Sequence, residues 1–248
     1  MGVNRSVITV KNLTKVFRIP HIRHNNLKTY LINLRQARKY DDFYALKNIN
    51  LTINRGDFVG IIGRNGSGKS TLLKLMTGIL NPTSGEVIVK ESISPFLELG
   101  VGFNPELTAW ENIFLYCSIL GLSKQESLES YPKVLEFSEL EQFIDSPLKT
   151  FSSGMQVRLA FSVAIQARSP ILMVDEVLAV GDAPFQEKCY SVFTQLKNEG
   201  KTIVFVSHAM ESILKFCDKV VLLQHGEEVR EGKPKEIVDY YLESVHHG

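Results

Sequence analysis

Residues 63–70 read Gly63-Arg64-Asn65-Gly66-Ser67-Gly68-Lys69-Ser70, a glycine-rich stretch that ends in a lysine and a hydroxyl residue. The stretch follows the apolar run Phe58–Ile62 and precedes a segment with helical spacing, so we expect a loop between a strand and a helix. Glycines allow such a loop to curl until successive backbone N–H groups point inward at phosphate oxygens. The stretch therefore predicts a phosphate-binding loop.

Two side chains of this loop suit a nucleoside triphosphate. Lys69 is placed to reach the β- and γ-phosphates, and the hydroxyl of Ser70 is placed to bind Mg²⁺. The positive end of the helix that is expected to start at Ser70 adds to the attraction. The predicted phosphate contacts are Gly63, Arg64, Asn65, Gly66, Ser67, Gly68, Lys69, Ser70 and Thr71.

A pair of carboxylates ends another apolar run. Ile171–Val174 is followed directly by Asp175 and Glu176. Such a pair is often only a solvated strand end, but beside a phosphate loop it has a chemical use. We predict that Asp175 binds Mg²⁺ and that Glu176 acts as the general base that activates the attacking water.

A third stretch, Phe151-Ser152-Ser153-Gly154-Met155, precedes an apolar helix predicted over Gln156–Ala167. Small residues before a helix can cap it or can form an anion site. Placed between the phosphate loop and the Asp175 strand, this stretch resembles a variant of the signature motif of ATP-binding cassette (ABC) ATPases. Only 82 residues separate Lys69 from Phe151, too few for the long coiled coils of the DNA-repair members of that family.

The resemblance covers nearly the whole chain and carries an expected architecture. It implies an α/β fold, a P-loop ABC ATPase cassette with a mixed sheet core and an N-terminal β subdomain. The helical subdomain is expected at about residues 106–167. Residues 1–248 are expected to form a single nucleotide-binding domain without a C-terminal carbohydrate-binding domain.

The resemblance also implies an assembly in which two copies, head to tail, sandwich two ATP molecules. The signature residues of one copy are expected to contact the γ-phosphate that Lys69 of the other copy holds. Asp182 matches the loop that crosses between the two sites, and His208 matches the switch histidine that contacts the γ-phosphate. The signature contacts are Ser152, Ser153, Gly154 and Met155.

Two family positions stay open. Cassettes usually place a glutamine where the sheet leads into the helical subdomain, and no glutamine stands there in this sequence. Glu98, at the end of the expected strand Ile93–Leu97, is the first choice for that position and for its Mg²⁺ contact, and Asn104 is the alternative. For the aromatic ring that stacks on adenine, Phe17 is favoured by its position after the first strand, and Tyr44, nearer the second strand, is the alternative.

Three stretches narrow the resemblance further: Thr150–Leu159, Val174–Asp182 and Leu97–Thr108. Together they resemble the ATPase subunits of polysaccharide exporters, the O-antigen, capsule and teichoic acid group. The resemblance implies ATP-driven export of a lipid-linked polysaccharide across the inner membrane, with this chain at the cytoplasmic face beside a separate permease. The alternatives are export of another lipid or glycolipid, and a regulatory cassette that does not hydrolyse ATP.

Composition excludes several other classes of protein. Apolar residues make up 44% of the chain and charged residues 22%, which are ordinary values for a globular domain. No apolar run reaches the length of a membrane span. Cys117, Cys189 and Cys217 lie far apart without a CxxC pair, so neither a disulfide framework nor a zinc site is expected.

Charge is distributed unevenly along the chain. Residues 1–40 contain nine basic and no acidic side chains, whereas the other 208 residues contain 19 basic and 27 acidic ones. Residues 18–42 do not fit the sheet pattern, and residues 20–42 match in position the amphipathic helix that this exporter group inserts after its first strand. We predict that this basic helix faces the membrane surface or the permease; the alternative is a helix that packs only on its own cassette. Nucleic acid is not expected as a partner, because aromatic residues are not interleaved with the basic ones.

Overall fold

The computed structural model describes residues 5–20, 40–96, 100, 102–175 and 182–246. The strands are β1 (Ser6–Pro20), β2 (Tyr40–Asn54), β3 (Phe58–Ile62), β4 (Ser84–Val89), β5 (Ile93–Phe96), β6 (Ile171–Asp175), β7 (Thr202–Val206), β8 (Lys219–Gln224) and β9 (Glu227–Gly232). The helices are α1 (Lys69–Met76), α2 (Ala109–Ile119), α3 (Lys124–Ser138), α4 (Ser153–Ala164), α5 (Ala183–Asn198), α6 (Met210–Phe216) and α7 (Pro234–His246). Short 3₁₀ helices occupy Glu141–Phe143 and Leu148–Thr150.

The strands form two sheets. A three-stranded antiparallel sheet has the order β2-β1-β4, and a six-stranded sheet has the order β5-β6-β7-β3-β8-β9. Neighbours in the larger sheet are parallel, except that β9 runs antiparallel to β8. This arrangement confirms the predicted α/β cassette with a mixed sheet and an antiparallel β subdomain.

Strand β3 is the interior strand on which the phosphate loop depends. All five of its residues are buried, as expected for a parallel strand that is covered on both faces. Its first residue, Phe58, packs at ring-centroid distances of 6.0–6.2 Å from Phe193, Phe205 and Phe216. On the other face, the side chains of Val59 and Ile61 belong to a second apolar cluster that includes α1 and the antiparallel sheet. Packing on both faces of β3 therefore holds the start of the following loop in place.

Local sequence signals start α2 and α3. Thr108 with Glu111, and Ser123 with Glu126, each form a reciprocal capping box at the start of these helices. α3 contains Pro132 in its interior and continues to Ser138. Val134, two residues after the proline, is completely buried in the core.

The sheet extends further than the sequence predicted. Residues 18–42 were expected to lie outside it, but β1 continues to Pro20 and β2 begins at Tyr40. The backbones pair Arg18 with Asp42 and Ile19 with Asp41, and the Arg18 and Asp42 side chains approach to 3.7 Å. Cross-strand pairing therefore overrides the polar character of these segments. Residues 21–39, which include most of the predicted basic helix, lie outside the described residues.

Helices in the described part of the chain are too short or too polar to cross a membrane.

The three cysteines are buried free thiols, and their burial gives a prediction. Burial raises the pKa of Cys189 to about 12, and burial also raises the pKa of Cys117 and Cys217. Almost no reactive thiolate is therefore present at pH 8. Titration of the folded chain with a chromogenic disulfide at pH 8 should show no rapidly reacting thiol, and titration in denaturant should show three. A rapidly reacting thiol in the folded chain would contradict this packing.

Candidate nucleotide-binding site

Three neighbouring parallel strands place the predicted catalytic segments at one edge of the sheet. β7 lies between β3 and β6, with Val206 paired to Ile61 on one side and to Asp175 on the other. Parallel strands end on the same side of the sheet, which is where ligands bind in open α/β folds. The phosphate loop after β3, Asp175 at the end of β6 and His208 after β7 therefore meet at this edge.

The loop glycines are required by close backbone contacts. Gly63 has φ of +150°, and a Cβ atom there would lie 2.2 Å from the carbonyl oxygen of Leu223. Gly68 has φ of +106°, and its Cβ would lie 2.7 Å from the carbonyl oxygen of Ala45. Both the backbone conformation and the space exclude a side chain. The loop is therefore held between β8 and β2 in a fixed shape.

Lys69 lies under this loop with its ammonium group turned inward. The residue is only 6% exposed, and its Nζ donates to the carbonyl oxygens of Gly63 at 2.8 Å and Arg64 at 3.1 Å. A buried cation is tolerable only when hydrogen bonds replace its water shell. The carbonyl oxygens fill that role, and they hold a positive charge beside the backbone N–H groups of the loop.

The predicted Mg²⁺ ligands Ser70 and Asp175 lie next to each other. The hydroxyl of Ser70 donates to Oδ2 of Asp175 at 3.2 Å. A hydroxyl and a carboxylate are oxygen ligands of the kind that Mg²⁺ uses together with substrate phosphates. The Ser70 and Asp175 side chains therefore fit a magnesium ion that shares its coordination with substrate phosphates. Within the described residues, no group of three or more His, Cys, Asp or Glu side chains could hold a metal on its own.

A cavity of about 230 Å³ opens above the loop. It contains most of the predicted phosphate contacts together with the exposed His208 and one aromatic ring. Its lining residues are Phe43, Ala45, Asn65, Gly66, Gly68, Lys69, Ser70, Thr71 and His208. One side of the cavity is polar and cationic, which suits the phosphates of a nucleotide, and the other side is apolar, which suits its base.

The aromatic residue of this wall is Phe43, whereas the sequence favoured Phe17, with Tyr44 as the alternative. Phe43 pairs directly with Phe17 across β1 and β2, so these two rings share one face of the ribbon. Tyr44 follows Phe43 and therefore points to the opposite face, because side chains alternate along a strand. The pairing is irregular at Ala45, because Lys15 pairs with Leu46 and Val16 with Tyr44, so alternation in the sequence alone does not identify Phe43.

The signature residues form the first turn of a helix. The sequence placed the start of this helix at Gln156, but α4 begins at Ser153, because the Ser152 hydroxyl caps it by accepting from the backbone N–H of Met155 at 3.2 Å. Ser152 and Ser153 are exposed. Among the described residues that line the loop cavity, none belongs to 152–155, so this protomer does not bring its own signature to its own phosphate loop.

Gly154 differs from the loop glycines in one respect. A Cβ atom at Gly154 would have the Ser152 hydroxyl as its nearest neighbour, at the ordinary contact distance of 3.9 Å. Packing within the described part of the protomer therefore does not require glycine at this position.

Asp182 lies at the start of α5, where its Oδ1 accepts from the backbone N–H of Phe185 at 3.2 Å. The same oxygen accepts from Nη2 of Arg158 at 2.8 Å. Glu176 and Glu98 lie outside the described residues, so their predicted roles stay predictions.

Asn104, the alternative to Glu98, has a structural role. Its side-chain oxygen accepts from the backbone N–H of Glu106 at 3.0 Å. Its backbone N–H and carbonyl are both held by the buried side-chain amide of Asn112. The polar side chain of Asn104 is therefore used within its own turn.

Comparison with known proteins agrees with this geometry. The family model for ABC transporters matches residues 46–179. The chain is 48% identical over 204 residues to ABC transporter protein AbcA from Aeromonas salmonicida, covering 82% of this chain and 66% of that protein. It is 40% identical to the O-antigen export system ATP-binding protein RfbB from Klebsiella pneumoniae, covering 96% of this chain and 98% of that protein.

A solved structure gives the same result for the fold. The chain is similar to the ATP-binding cassette MJ0796, solved as a dimer in a post-hydrolysis state bound to ADP and Pi, with a TM-score of 0.73. The two sequences are 28% identical, and the match covers 92% of this chain and 98% of that one. The chain belongs to the ABC transporter family, and it is an ABC-type ATPase cassette.

Proposed function

We propose that this chain is the ATP-hydrolysing subunit of an ABC transporter that exports a lipid-linked, O-antigen-like polysaccharide. The observation that carries ATP hydrolysis is the site itself, in which the buried Lys69 and Ser70 line one cavity and Asp175 accepts a hydrogen bond from Ser70. The polysaccharide is supported by the similarity to the Klebsiella export protein along nearly the full length of both chains. The chain would work at the cytoplasmic face of the inner membrane, beside a separate permease.

In the proposed reaction, each residue of the site has a separate task. Lys69 and the loop N–H groups bind the phosphates, and their positive charge stabilises the charge that develops on the transferred phosphoryl group. Ser70 and Asp175 would hold Mg²⁺, which neutralises phosphate charge when it is bound. Glu176 accepts the proton of the attacking water as general base. His208, at the edge of the cavity, contacts the γ-phosphate.

The signature turn contributes to a phosphate site that is complete only when a second copy of the chain is bound. Its two serines are exposed at a helix start, where N–H groups favour an anion. Packing within the protomer does not require a glycine at Gly154, so this residue leaves room for a nucleotide that is bound to the partner. We therefore assign Ser152, Ser153, Gly154 and Met155 to the γ-phosphate of the opposite protomer, in a head-to-tail homodimer.

The adenine base is proposed to stack on Phe43, with Phe17 beside it on the same face. Both rings are partly exposed, so a base can stack on them while β1 and β2 stay paired. Stacking of an aromatic ring on a nucleobase contributes about 1–3 kcal/mol.

Stacking of the base on Phe43 gives a prediction, and the neighbouring Tyr44 provides the control. Phe43→Ala should weaken ATP binding about tenfold, because one stacking contact is lost. Tyr44→Ala, which removes the neighbouring ring from the other face, should change the affinity less than about twofold. Phe17→Ala should have an intermediate effect.

Calorimetric titration with ATP and with tripolyphosphate checks this assignment. Binding of tripolyphosphate, which has no base, should be the same for Phe43→Ala and the wild type. A large loss of ATP affinity with Tyr44→Ala and none with Phe43→Ala would contradict stacking of the base on Phe43.

The basic segment at residues 21–39 is proposed to lie at the membrane surface, close to where the lipid-linked substrate enters. This proposal rests on the sequence, which concentrates positive charge there. A basic side chain near an anionic membrane surface contributes about 1 kcal/mol.

Charge reversal tests both this segment and the transport function. In cells that contain the permease, changing Lys28, Arg35 and Arg38 to Glu should lower surface polysaccharide at least about tenfold, because the segment is repelled from anionic lipid. The ATPase rate of the purified subunit should not change.

The matched control exchanges the same residues for cations of the other type, Lys28→Arg, Arg35→Lys and Arg38→Lys, and should export normally. Normal export by the charge-reversed variant would contradict the membrane role. If deletion of this chain leaves the amount of surface polysaccharide unchanged, that result would contradict the proposed export function.

A further inference from the structure

Three distant parts of the chain meet through their backbones next to the cavity above the phosphate loop. They are β2 near Ala45, the phosphate loop at Ser67, and the turn between β8 and β9 at Gly226. The backbone N–H of Gly226 donates to the carbonyl oxygen of Ser67 at 3.1 Å, and its own carbonyl oxygen accepts from the backbone N–H of Lys47 at 2.7 Å. Gly226 therefore ties the phosphate loop to β2 through two backbone hydrogen bonds.

The turn at Gly226 has a conformation and an environment that require glycine. His225 and Gly226 have φ of +51° and +79°, as in the type I′ turn that commonly joins two antiparallel strands. A Cβ atom at Gly226 would lie 2.8 Å from the carbonyl oxygen of Ala45 and 3.1 Å from its carbonyl carbon. A side chain at this position would therefore push directly against the backbone of β2.

Ala45 is the irregular residue of β2 at this point. In the pairing with β1, Lys15 lies opposite Leu46 and Val16 lies opposite Tyr44, so the register passes over Ala45. An extra residue of this kind forms a β-bulge, which turns the local backbone away from the regular ladder. The bulge leaves the carbonyl group of Ala45 available for contacts outside the antiparallel sheet.

The carbonyl oxygen of Ala45 lies against two glycines from different segments. One is Gly226, and the other is Gly68 of the phosphate loop, where a Cβ atom would lie 2.7 Å from the same oxygen. The turn and the loop thus both approach this oxygen more closely than any side chain would allow. The position of β2 relative to the phosphate loop is therefore fixed at Ala45.

The place of these contacts in the chain gives them a consequence for the nucleotide. Phe43, on which the base is proposed to stack, is two residues before Ala45, and Lys69 is the residue after Gly68. These four residues line the same cavity. The contacts of Gly226 therefore connect the strand that carries the ring to the loop that holds the phosphates.

The phosphate loop also has supports of its own. Lys69 donates to the carbonyl oxygens of Gly63 and Arg64, and Gly63 lies against the carbonyl oxygen of Leu223. These supports involve neither β2 nor Gly226. A change at Gly226 should therefore alter the spacing between strand and loop before it alters the loop itself.

We propose that Gly226 is a positioning residue that sets the spacing between the base and the phosphates of the bound nucleotide. The proposal rests on the proposed stacking of the base on Phe43. Gly226 is not among the described residues that line the cavity, so it acts through the backbone of β2. With the spacing fixed in advance, a ligand that carries both a base and a triphosphate occupies both halves of the site at once, which favours nucleotides over inorganic polyphosphates.

Gly226→Ala tests this role through the difference between two ligands. The new methyl group displaces β2 from the loop, so the affinity for ATP should fall about tenfold, close to the loss expected for Phe43→Ala. The affinity for tripolyphosphate, which has no base, should change less than about twofold, because the loop keeps its own supports. Calorimetric titration measures both affinities. A merely structural role would lower the melting temperature and weaken the binding of both ligands alike.

Gly78 provides a matched control. It follows α1 and has φ of +75°, close to that of Gly226, but a Cβ atom there would have no neighbour within 4 Å in the described part of the chain. Gly78→Ala therefore introduces similar backbone strain without pressing on another segment. Its affinities for ATP and for tripolyphosphate should both stay within about twofold of the wild type.

Two further variants complete the test. Phe43→Ala combined with Gly226→Ala should lose little more ATP affinity than Phe43→Ala alone, because the base contact that Gly226 positions is already absent. Lys47→Pro removes the N–H group that donates to Gly226, and β2 is an edge strand, where proline is tolerated. This variant should show the same selective loss of ATP affinity, about threefold for one hydrogen bond, even where Gly226→Ala does not fold.

The outcomes separate this role from the proposed function. Equal losses for ATP and tripolyphosphate in Gly226→Ala, an unchanged ATP affinity, additive losses in the double variant, or the same selective loss in Gly78→Ala would each overturn the positioning role alone. An ATP affinity that Phe43→Ala does not change would overturn the stacking, and the positioning role with it. A wild-type chain that binds neither ligand would overturn the proposed nucleotide function itself.

Discussion

The ammonium group of Lys69, held inside the loop by the carbonyl oxygens of Gly63 and Arg64, is the interaction on which the site depends. A buried cation requires a rigid set of oxygen partners. The chain supplies this rigidity by leaving no space for side chains at Gly63 and Gly68 and by burying the whole of β3 beneath the loop. These contacts within the chain hold the loop in one shape, which reduces the ordering that nucleotide binding must impose.

The residues proposed to bind phosphate lie at two separate places in the cassette. The loop, Asp175 and His208 meet at one sheet edge because three parallel strands end there. The signature turn is built on a different element, where its serines are exposed and its glycine has no close neighbour. The loop glycines are explained by contacts within the chain, whereas Gly154 is not. This difference is the physical argument that a second copy completes the site.

Much of the site could be predicted from the sequence, because its chemistry is local. Glycine spacing, the lysine and the strand before them identify the loop, and β3 matches its predicted boundaries. The errors are at places that depend on distant contacts. Strand pairing extends β1 and β2 to residues 20 and 40.

Phe43 shows the same limit at the functional site. Phe43 and Tyr44 are adjacent, and which of the two rings faces the cavity depends on how β2 pairs with β1. That pairing is irregular at Ala45, and it is set by contacts between two strands that the local sequence does not specify.

Association of the Glu176→Gln variant in the presence of ATP, measured by light scattering, tests the central claim most directly. Without the general base the nucleotide should persist, so ATP should convert the monomer into a dimer with little turnover. Adding Gly154→Asp should abolish that dimer while leaving ATP affinity of the monomer within about twofold, because the new carboxylate repels only the partner's phosphate. A Glu176→Gln variant that hydrolyses ATP at the wild-type rate, or a dimer that survives Gly154→Asp, would contradict the account.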